Sequence, residues 1–361
     1  MKLIDIKKNE LENFLLSDIY KNSKNIPITK YRAISQINNP RANNEDVILI
    51  IAVDDLNQII GFIGALPDRL ADYPSIKLAW NSCWWVDKAS QSNTSMKLLF
   101  RFFSVWNSNV MMRDLTEHTK KIILSIKGFS AIRKLHGRKY FLRLNLIDKV
   151  KSFKIFFRLS DSIFNFITNI YMKLFVYKNI ESKDFYFEFS NSLSKEDSEF
   201  ISKLNTTEIF KRNVTELNWI LKYPWLVQRN EKDTFEERYF FSSVKKTFSN
   251  KIIYVKEVKS KKLIAIIFIK EINKNVEIPY IYFEPENLPI VSQIILNYLI
   301  KEKAISFLTF NDNINNWLSK NRKSYIFMKR IEKEFVINEK LKPYINDNFK
   351  FQDGEGDYVF A

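Results

Sequence analysis

The chain has 361 residues and a formal net charge of +16, with 57 Lys and Arg against 41 Asp and Glu. One cysteine, Cys83, excludes an internal disulfide and fits a reducing compartment. Six glycines argue against a glycine-rich phosphate cradle, and no run reaches the roughly 18–20 uninterrupted apolar residues of a membrane span. The length suits two or three domains. The 31 Phe and 16 Tyr supply cores of good size. The first residues, MKLIDIKKNELENFLL, are charged throughout and lack the apolar core of a signal peptide, so a cytoplasmic protein is expected.

In chain order, residues 3–20 read as helical, with Leu3, Ile6, Leu11, Phe14 and Leu15 on an approximate stripe. Val47–Val53 and Gln58–Leu66 read as a hairpin around the turn cluster Asp54–Asn57. Gly61 and Gly64 in its second strand leave room for a ligand or another backbone. Leu78–Val86 is an aromatic, β-preferring strand, and Asp87–Ser95 has the composition of a loop. Thr94 or Ser95 then caps a helix with Met96, Leu99, Phe100 and Phe103 at spacings of three and four. Such a strand, loop and helix start is an anion site, because free N–H groups converge there and the helix dipole favours negative charge. It is also an ordinary βα unit. Val110–Leu115 follows as a strand, Thr116–Ile126 as a helix with Gly128 at its C-terminal end, and Tyr140–Leu144 as a closing strand.

Lys127–Arg158 holds ten Lys or Arg against one acid, Asp148. Such a patch suits CoA phosphates, a nucleotide-sugar or an anionic lipid surface, or is simply a solvated face. No recognition motif points to nucleic acid, and none is expected as a partner. Residues 150–182 carry apolar side chains around much of a helix. Two readings stand: an inter-domain helix packed between two cores, or an interfacial segment lying on a membrane. The second half repeats the first in outline. Lys251–Val258 and Leu263–Glu271 form a hairpin, Val276–Phe283 a strand, Pro289–Glu302 a helix, Ala304–Phe310 a strand, Ile314–Lys320 a helix and Ser324–Ile331 a strand. Its loop Glu284–Leu288 is acidic and repels a pyrophosphate.

The stretch around Val86 resembles the acyl-CoA-binding segment of the GNAT (Gcn5-related) N-acyltransferases. There a strand ends in V-x-P, an Arg or Gln follows, and a G-x-G/A pair opens the helix. Here stand Val86-Asp87-Lys88, then Gln91, then Thr94-Ser95-Met96, with Lys88 in place of Pro and Thr94 and Met96 in place of small residues. The resemblance covers about residues 45–145, with Gly128-Phe129 similar to the family's G-F ending. It implies an α/β (α+β) fold: two tandem GNAT-like domains, each a mixed, mostly antiparallel sheet flanked by helices. The expected boundaries are an acyl-CoA domain at 1–148, a basic and aromatic helical linker at 149–184, and a degenerate GNAT-like domain at 185–361.

It also implies acetyl-CoA or another acyl-CoA as co-substrate, held by Trp85, Val86, Gln91, Ser92, Asn93, Thr94, Ser95 and Met96. The Tyr that can serve the family as general acid is replaced by Leu124 here, which cannot donate a proton; the candidate bases are His118, whose ordinary pKa suits base work near neutral pH, and Glu117 beside it. Glu117 also favours the helix start, and a lone His is commonly structural. Cys83 reads as a small buried residue. In the tail, an extended strand would place Asp353, Glu355 and Asp357 on one face, where they would grip the amine of a small-molecule acceptor. Phe351, Tyr358 and Phe360 would anchor the segment. The spacing is not that of a calcium loop, and no metal is expected. The DGEGD ending resembles tails of two-domain GNAT-like proteins associated with surface-polysaccharide synthesis. The leading function is acyl transfer to an amine of an amino-sugar or sugar-nucleotide. The alternatives are a degenerate binding or scaffold protein, and a FemAB-type aminoacyl transferase. Residues 149–184 are the expected peripheral contact with the inner face of a membrane.

Overall fold

A computed structural model describes residues 1–90, 93–145, 154–178, 184–229, 235–241, 243–345 and 349–360. In chain order its strands are β1 (Lys2–Lys7), β2 (Val47–Val53), β3 (Ile59–Leu70), β4 (Tyr73–Val86), β5 (Val110–Arg113), β6 (Phe129–Phe141), β7 (Phe185–Ser190), β8 (Val227–Gln228), β9 (Val244–Lys245), β10 (Phe248–Glu257), β11 (Leu263–Ile272), β12 (Asn275–Glu277), β13 (Ile281–Phe283), β14 (Ser306–Thr309) and β15 (Phe327–Asn338). The helices are α1 (Leu11–Leu16), α2 (Asp18–Lys21), α3 (Lys30–Ile37), α4 (Thr94–Val105), α5 (Glu117–Ser125), α6 (Lys154–Tyr171), α7 (Asp197–Leu204), α8 (Val214–Lys222), α9 (Leu288–Lys301) and α10 (Asp312–Lys320).

The chain folds into two compact units. The first comprises Met1–Lys134, Leu193–Lys246 and Lys333–Ala361, the second Leu135–Ser192 and Thr247–Glu332. The units are thus not the contiguous blocks 1–148 and 185–361. The reason lies in strand partners. In the first unit β5 pairs with Phe335–Ile337 at the far end of β15. In the second, β14 pairs with Arg138–Phe141 at the end of β6. Each half of the sequence therefore gives the end of its last strand to the other unit. Residues 140–144, expected to close the first domain, begin within a strand of the second.

In the first unit β1, β2, β3 and β4 are antiparallel neighbours, and β4 runs parallel to β5. Leu3–Ile6 is strand rather than the start of a helix, because its β-branched Ile4 and Ile6 face a complete β2 partner. One sheet face packs on α4 and α5 through Ile50, Ala52, Ile63, Leu98, Phe102 and Ile123. In the second unit β7, β10 and β11 are antiparallel, while β12 runs parallel to β14. The α9 helix is buried along most of its length, from Val291 to Ile300. Both units share hairpin, strand, helix and parallel strand, and apart from the short β8–β9 pair the described strands form a large, mixed, mostly antiparallel sheet flanked by helices.

Gly61 and Gly64 serve the protein's own packing. A Cβ at Gly61 would stand 3.0 Å from Leu98 Cδ1 of α4. At Gly64 it would stand 2.6 Å from Cys83 Sγ and 2.7 Å from Ser82 Oγ. Gly64→Ala is expected to destabilise the first unit by about 1–3 kcal/mol through overpacking of the buried β3–β4 ladder. Urea denaturation checks this; an unchanged midpoint would show that the ladder gives way freely.

Candidate active site

Two departures from regularity shape β4. The β3–β4 register shifts between the pairs Gly64–Cys83 and Ala65–Asn81, which leaves Ser82 as the extra residue of a bulge. The parallel ladder to β5 consists of Ala79–Val110 and Trp80–Met111. On its other edge β5 pairs with β15, and among the described residues the β4–β5 ladder ends at Trp80 while β4 runs on from Asn81 to Val86. This parting of the ladder from a β4 strand that continues is the wedge of the first unit.

The start of α4 follows β4. Asn93 takes the N-cap position rather than Thr94 or Ser95, and it makes no side-chain capping bond. The first-turn N–H groups therefore lack a side-chain acceptor and keep their preference for an anion. Thr94 is fully buried, and its Oγ1 lies 3.4 Å from Met1 Sδ. Its side chain points inward, so it does not fill the space over the helix start that glycine leaves open in the family motif. Trp84 Nε1 is buried without a hydrogen-bond partner, and Trp84 packs with Val86, Met96 and Met1 against the α4 core. An uncapped helix start, an orphaned indole donor and an open strand edge fit a pyrophosphate and a carbonyl group.

On the other face of β4 the C-terminal tail is built into the first unit. It forms turns over 353–360 rather than the expected strand. Gly356 has φ +74, and a Cβ there would meet Arg113 Cδ at 3.0 Å and Trp80 Cε3 at 3.1 Å. The aromatic anchors are as the sequence suggests. Phe351 stacks on Phe335 at 4.3 Å and Phe360 on Trp225 at 4.8 Å, while Tyr358 lies under Arg113 at 4.7 Å.

Beneath the tail runs a buried ionic network. Asp68 accepts from Arg41 at 2.7 Å, from Arg212 at 2.6 Å and from Trp80 Nε1 at 3.0 Å. Arg41 also donates twice to Glu216, at 2.6 and 2.7 Å. Arg212 donates to Glu355 at 2.5 Å, and Lys333 to Asp353 at 3.2 Å. Burial pushes the Asp68 carboxyl up, but the Arg212 and Arg41 guanidiniums outweigh it and hold it below the usual range. Burial, with the charge of Asp68 beside it, raises Glu355 despite Arg212.

A second cluster stands behind a cleft of about 660 Å³ lined by Tyr239, Phe240, Phe241, Glu236, Lys245 and Lys246 among others. Tyr239 is buried at its inner end, and its hydroxyl accepts from Arg32 at 2.5 Å and touches Cys83. Burial drives the Tyr239 phenol well above its ordinary value, so it keeps its proton at neutral pH. Trp85 of β4 faces Phe240 across 5.8 Å. Asp357, half-buried, shares the field of Arg32. Burial raises its carboxyl to about 6, with Arg32 and Arg113 opposing.

Solved structures share this architecture. Saccharomyces cerevisiae N-myristoyltransferase with bound myristoyl-CoA is 10% identical, with a TM-score of 0.51 over 100% of this chain and 84% of that one. A conserved Enterococcus faecalis V583 protein described as a probable N-acyltransferase is 9% identical, with a TM-score of 0.50 over 94% and 73%. A tandem GNAT protein from the clavulanic acid biosynthesis pathway is 9% identical, with a TM-score of 0.47 over 92% and 97%. No protein-family model and no curated protein matches the sequence.

The fold is GNAT-like.

Within this GNAT-like fold, Trp85 and Val86 lie at the end of β4, and Asn93, Thr94, Ser95 and Met96 at the start of α4, next to the wedge. Gln91 and Ser92 lie outside the described residues. Glu117 and His118 are exposed in the first turn of α5 and line none of the described cavities. Asp353 and Glu355 are corrected as acceptor ligands: both are buried and ion-paired, because folding the tail into turns drives them onto Lys333 and Arg212. Only Asp357 of the three keeps partial exposure. Cys83 is buried, as expected, and burial raises its thiol. Sequence reasoning missed Arg32, Tyr239 and Arg212, whose surroundings carry no motif. Asp68 did leave a signal, an acid within the otherwise apolar run GFIGALPDRL.

Two outcomes follow for stability. Arg212→Met leaves Asp68 and Glu355 as neighbouring buried acids and is expected to cost about 3–5 kcal/mol. The exposed Glu117→Gln should stay within about 0.5 kcal/mol of the parent in the same denaturation assay. The second concerns Glu208, whose carboxyl burial raises to about 8 against the bond from Gln352. The folded chain keeps a proton that the unfolded chain loses in the ordinary carboxylate range. Stability should therefore fall as pH rises from that range to about 8. Asp357 contributes the same sign only up to about 6. Above that, denaturation midpoints of Glu208→Gln should fall less steeply than those of the parent, and parallel curves would refute the assignment.

Proposed function

We propose that the chain is an acyl-CoA-dependent N-acyltransferase whose chemistry resides in the first unit. The observation that carries this reading is the bulged β4 parting from β5 beside an uncapped α4 start. The α4 first-turn N–H groups, with Asn93 and Ser95 at the rim, hold the pyrophosphate. The open amides of β4 near Trp85 and Val86 polarise the acyl carbonyl. Acyl-CoA, when bound, supplies an acyl group activated as a thioester. Asp357, with its carboxyl near 6, is ionised at neutral pH and takes the proton that the attacking amine must lose. Tyr239, a neutral phenol fixed by Arg32, donates the proton that the departing sulfur requires. These roles replace Glu117 and His118, which stand in solvent.

The cleft before Tyr239 takes the acceptor. Phe240 and Trp85 form an aromatic wall for a ring, and Arg229, Lys245 and Lys246 outnumber Glu236 and Glu237 in the lining of the same cleft, with Arg229 paired to Glu237. That combination suits an amine on a sugar carrying a phosphate group.

Calorimetric titration with acetyl-CoA tests the donor site, and absence of binding would favour a scaffold role. In an acyl-transfer assay Asp357→Asn is expected to lower kcat by about 10²–10⁴-fold while leaving acetyl-CoA affinity unchanged. The parent rate should rise with pH through an apparent pKa of about 6, and that limb should vanish in the variant. A surviving limb would assign the base elsewhere.

A further inference from the structure

The second unit carries a helix docked by its polar side. Across its 18 residues α6 turns Asp161 and Thr168 inward, both largely buried. Asn165 closes a reciprocal pair with the backbone of Leu144, at 2.8 and 2.9 Å. Asn169 accepts from Arg143 at 2.7 Å, and Arg143 in turn donates to the carbonyls of Ile300 in the last turn of α9 and Ala304 just after it. One turn on, Met172 and Val176 join the core of this unit. These positions recur at three and four and form one stripe.

The opposite stripe is apolar and bare. Ile163 is 63% exposed, Phe166 66%, Leu174 69% and Phe175 70%, with Leu159, Ile167 and Ile170 between them. An amphipathic helix of a soluble unit places its apolar stripe on the core. Here the arrangement is inverted, which makes sense only if something apolar lies outside. The surrounding charge indicates what it is. Arg158, Lys173 and Lys178 are exposed around this stripe, while the acid of the helix, Asp161, is buried. A second copy would bring like charges together. An anionic bilayer surface offers both an apolar layer for Phe166 and Phe175 and counter-charge for the cations. Among the described residues no helix is long and apolar enough to cross a membrane, so α6 lies in the interface plane.

We propose that α6 and Met172–Val176 form a membrane-surface anchor for anionic lipid, independent of the acyl-transfer reading. The test is co-sedimentation of the full chain with phosphatidylcholine vesicles, with and without about one quarter phosphatidylglycerol. Binding to the anionic vesicles is expected to be about tenfold tighter than to neutral ones. It should fall by about tenfold or more in Ile163→Ser/Phe166→Ser/Leu174→Ser/Phe175→Ser, whose circular dichroism and melting should match the parent because the replaced side chains are exposed. Arg158→Gln/Lys173→Gln/Lys178→Gln should reduce the preference for anionic vesicles while keeping weak binding to neutral ones. Equal vesicle binding by the parent and the Ser variant overturns the proposal. So does absence of vesicle binding together with a concentration-dependent dimer that the Ser variant abolishes, which would assign the stripe to a second copy.

Discussion

The first unit depends on how Asp68 is neutralised. An acid within a buried strand is costly unless charged groups surround it. Arg41 reaches it from the segment before β2, and Arg212 from the segment before α8. Arg212 would be over-committed to one acid, and Glu355 from the tail supplies the second. The chain therefore gathers three distant stretches around one carboxylate. That requirement explains why Leu193–Lys246 and Lys333–Ala361 belong to the unit that begins at Met1. A buried network of this kind gives specificity of assembly more than raw stability, since a well-packed apolar core of the same volume would hold as well.

Elements were legible in the sequence where pattern and turn chemistry agreed. The β2–β3 hairpin, the β4 strand, the α4 helix and the β10–β11 hairpin all stand close to their expected bounds. Partners were less legible. The sequence places closing strands at 140–144 and 324–331, whereas the strands run over 129–141 and 327–338, and periodicity does not say that each pairs in the unit of the other half. The tail shows the same limit. Alternating acids suggest one shared face, but that holds only if the backbone is extended, and Gly356 with its positive φ turns it. Once the backbone turns, the acids diverge, and Glu355 meets a partner 143 positions away. The polar inward face of α6 was hidden for a related reason. Asn165 and Asn169 are held by Leu144 and Arg143, partners that no pattern within the helix names.

The GNAT-like wedge is equally a product of local constraints. The β5 strand ends at Arg113, pairing with β4 on one edge and with β15 on the other, while β4 runs on to Val86. The β4 strand can bulge at Ser82 because Gly64 presents no Cβ to the two side chains that crowd it. The missing glycines of the α4 motif are compatible with this geometry, since Thr94 turns its side chain toward Met1. Sequence likeness to a glycine-rich loop is one route to an approachable helix start. A buried first residue is another.

Burial of the tail also ties activity to stability. Arg113, held against Gly356 and the tail carbonyls, sits beside the same segment that carries Asp357. Removing water around Asp357 raises its carboxyl toward the range where a base is effective. The same desolvation opposes the charged form in the folded chain, so each increment of basicity is drawn from folding free energy. The network at Asp68, Arg212 and Glu355 offsets that cost by fixing the tail two residues upstream. A tail released from Arg212 would let Asp357 return to water, and its carboxyl would drop to the ordinary range. Loosening the ionic network should therefore act on the rate through the position and proton affinity of Asp357, even where the fold survives.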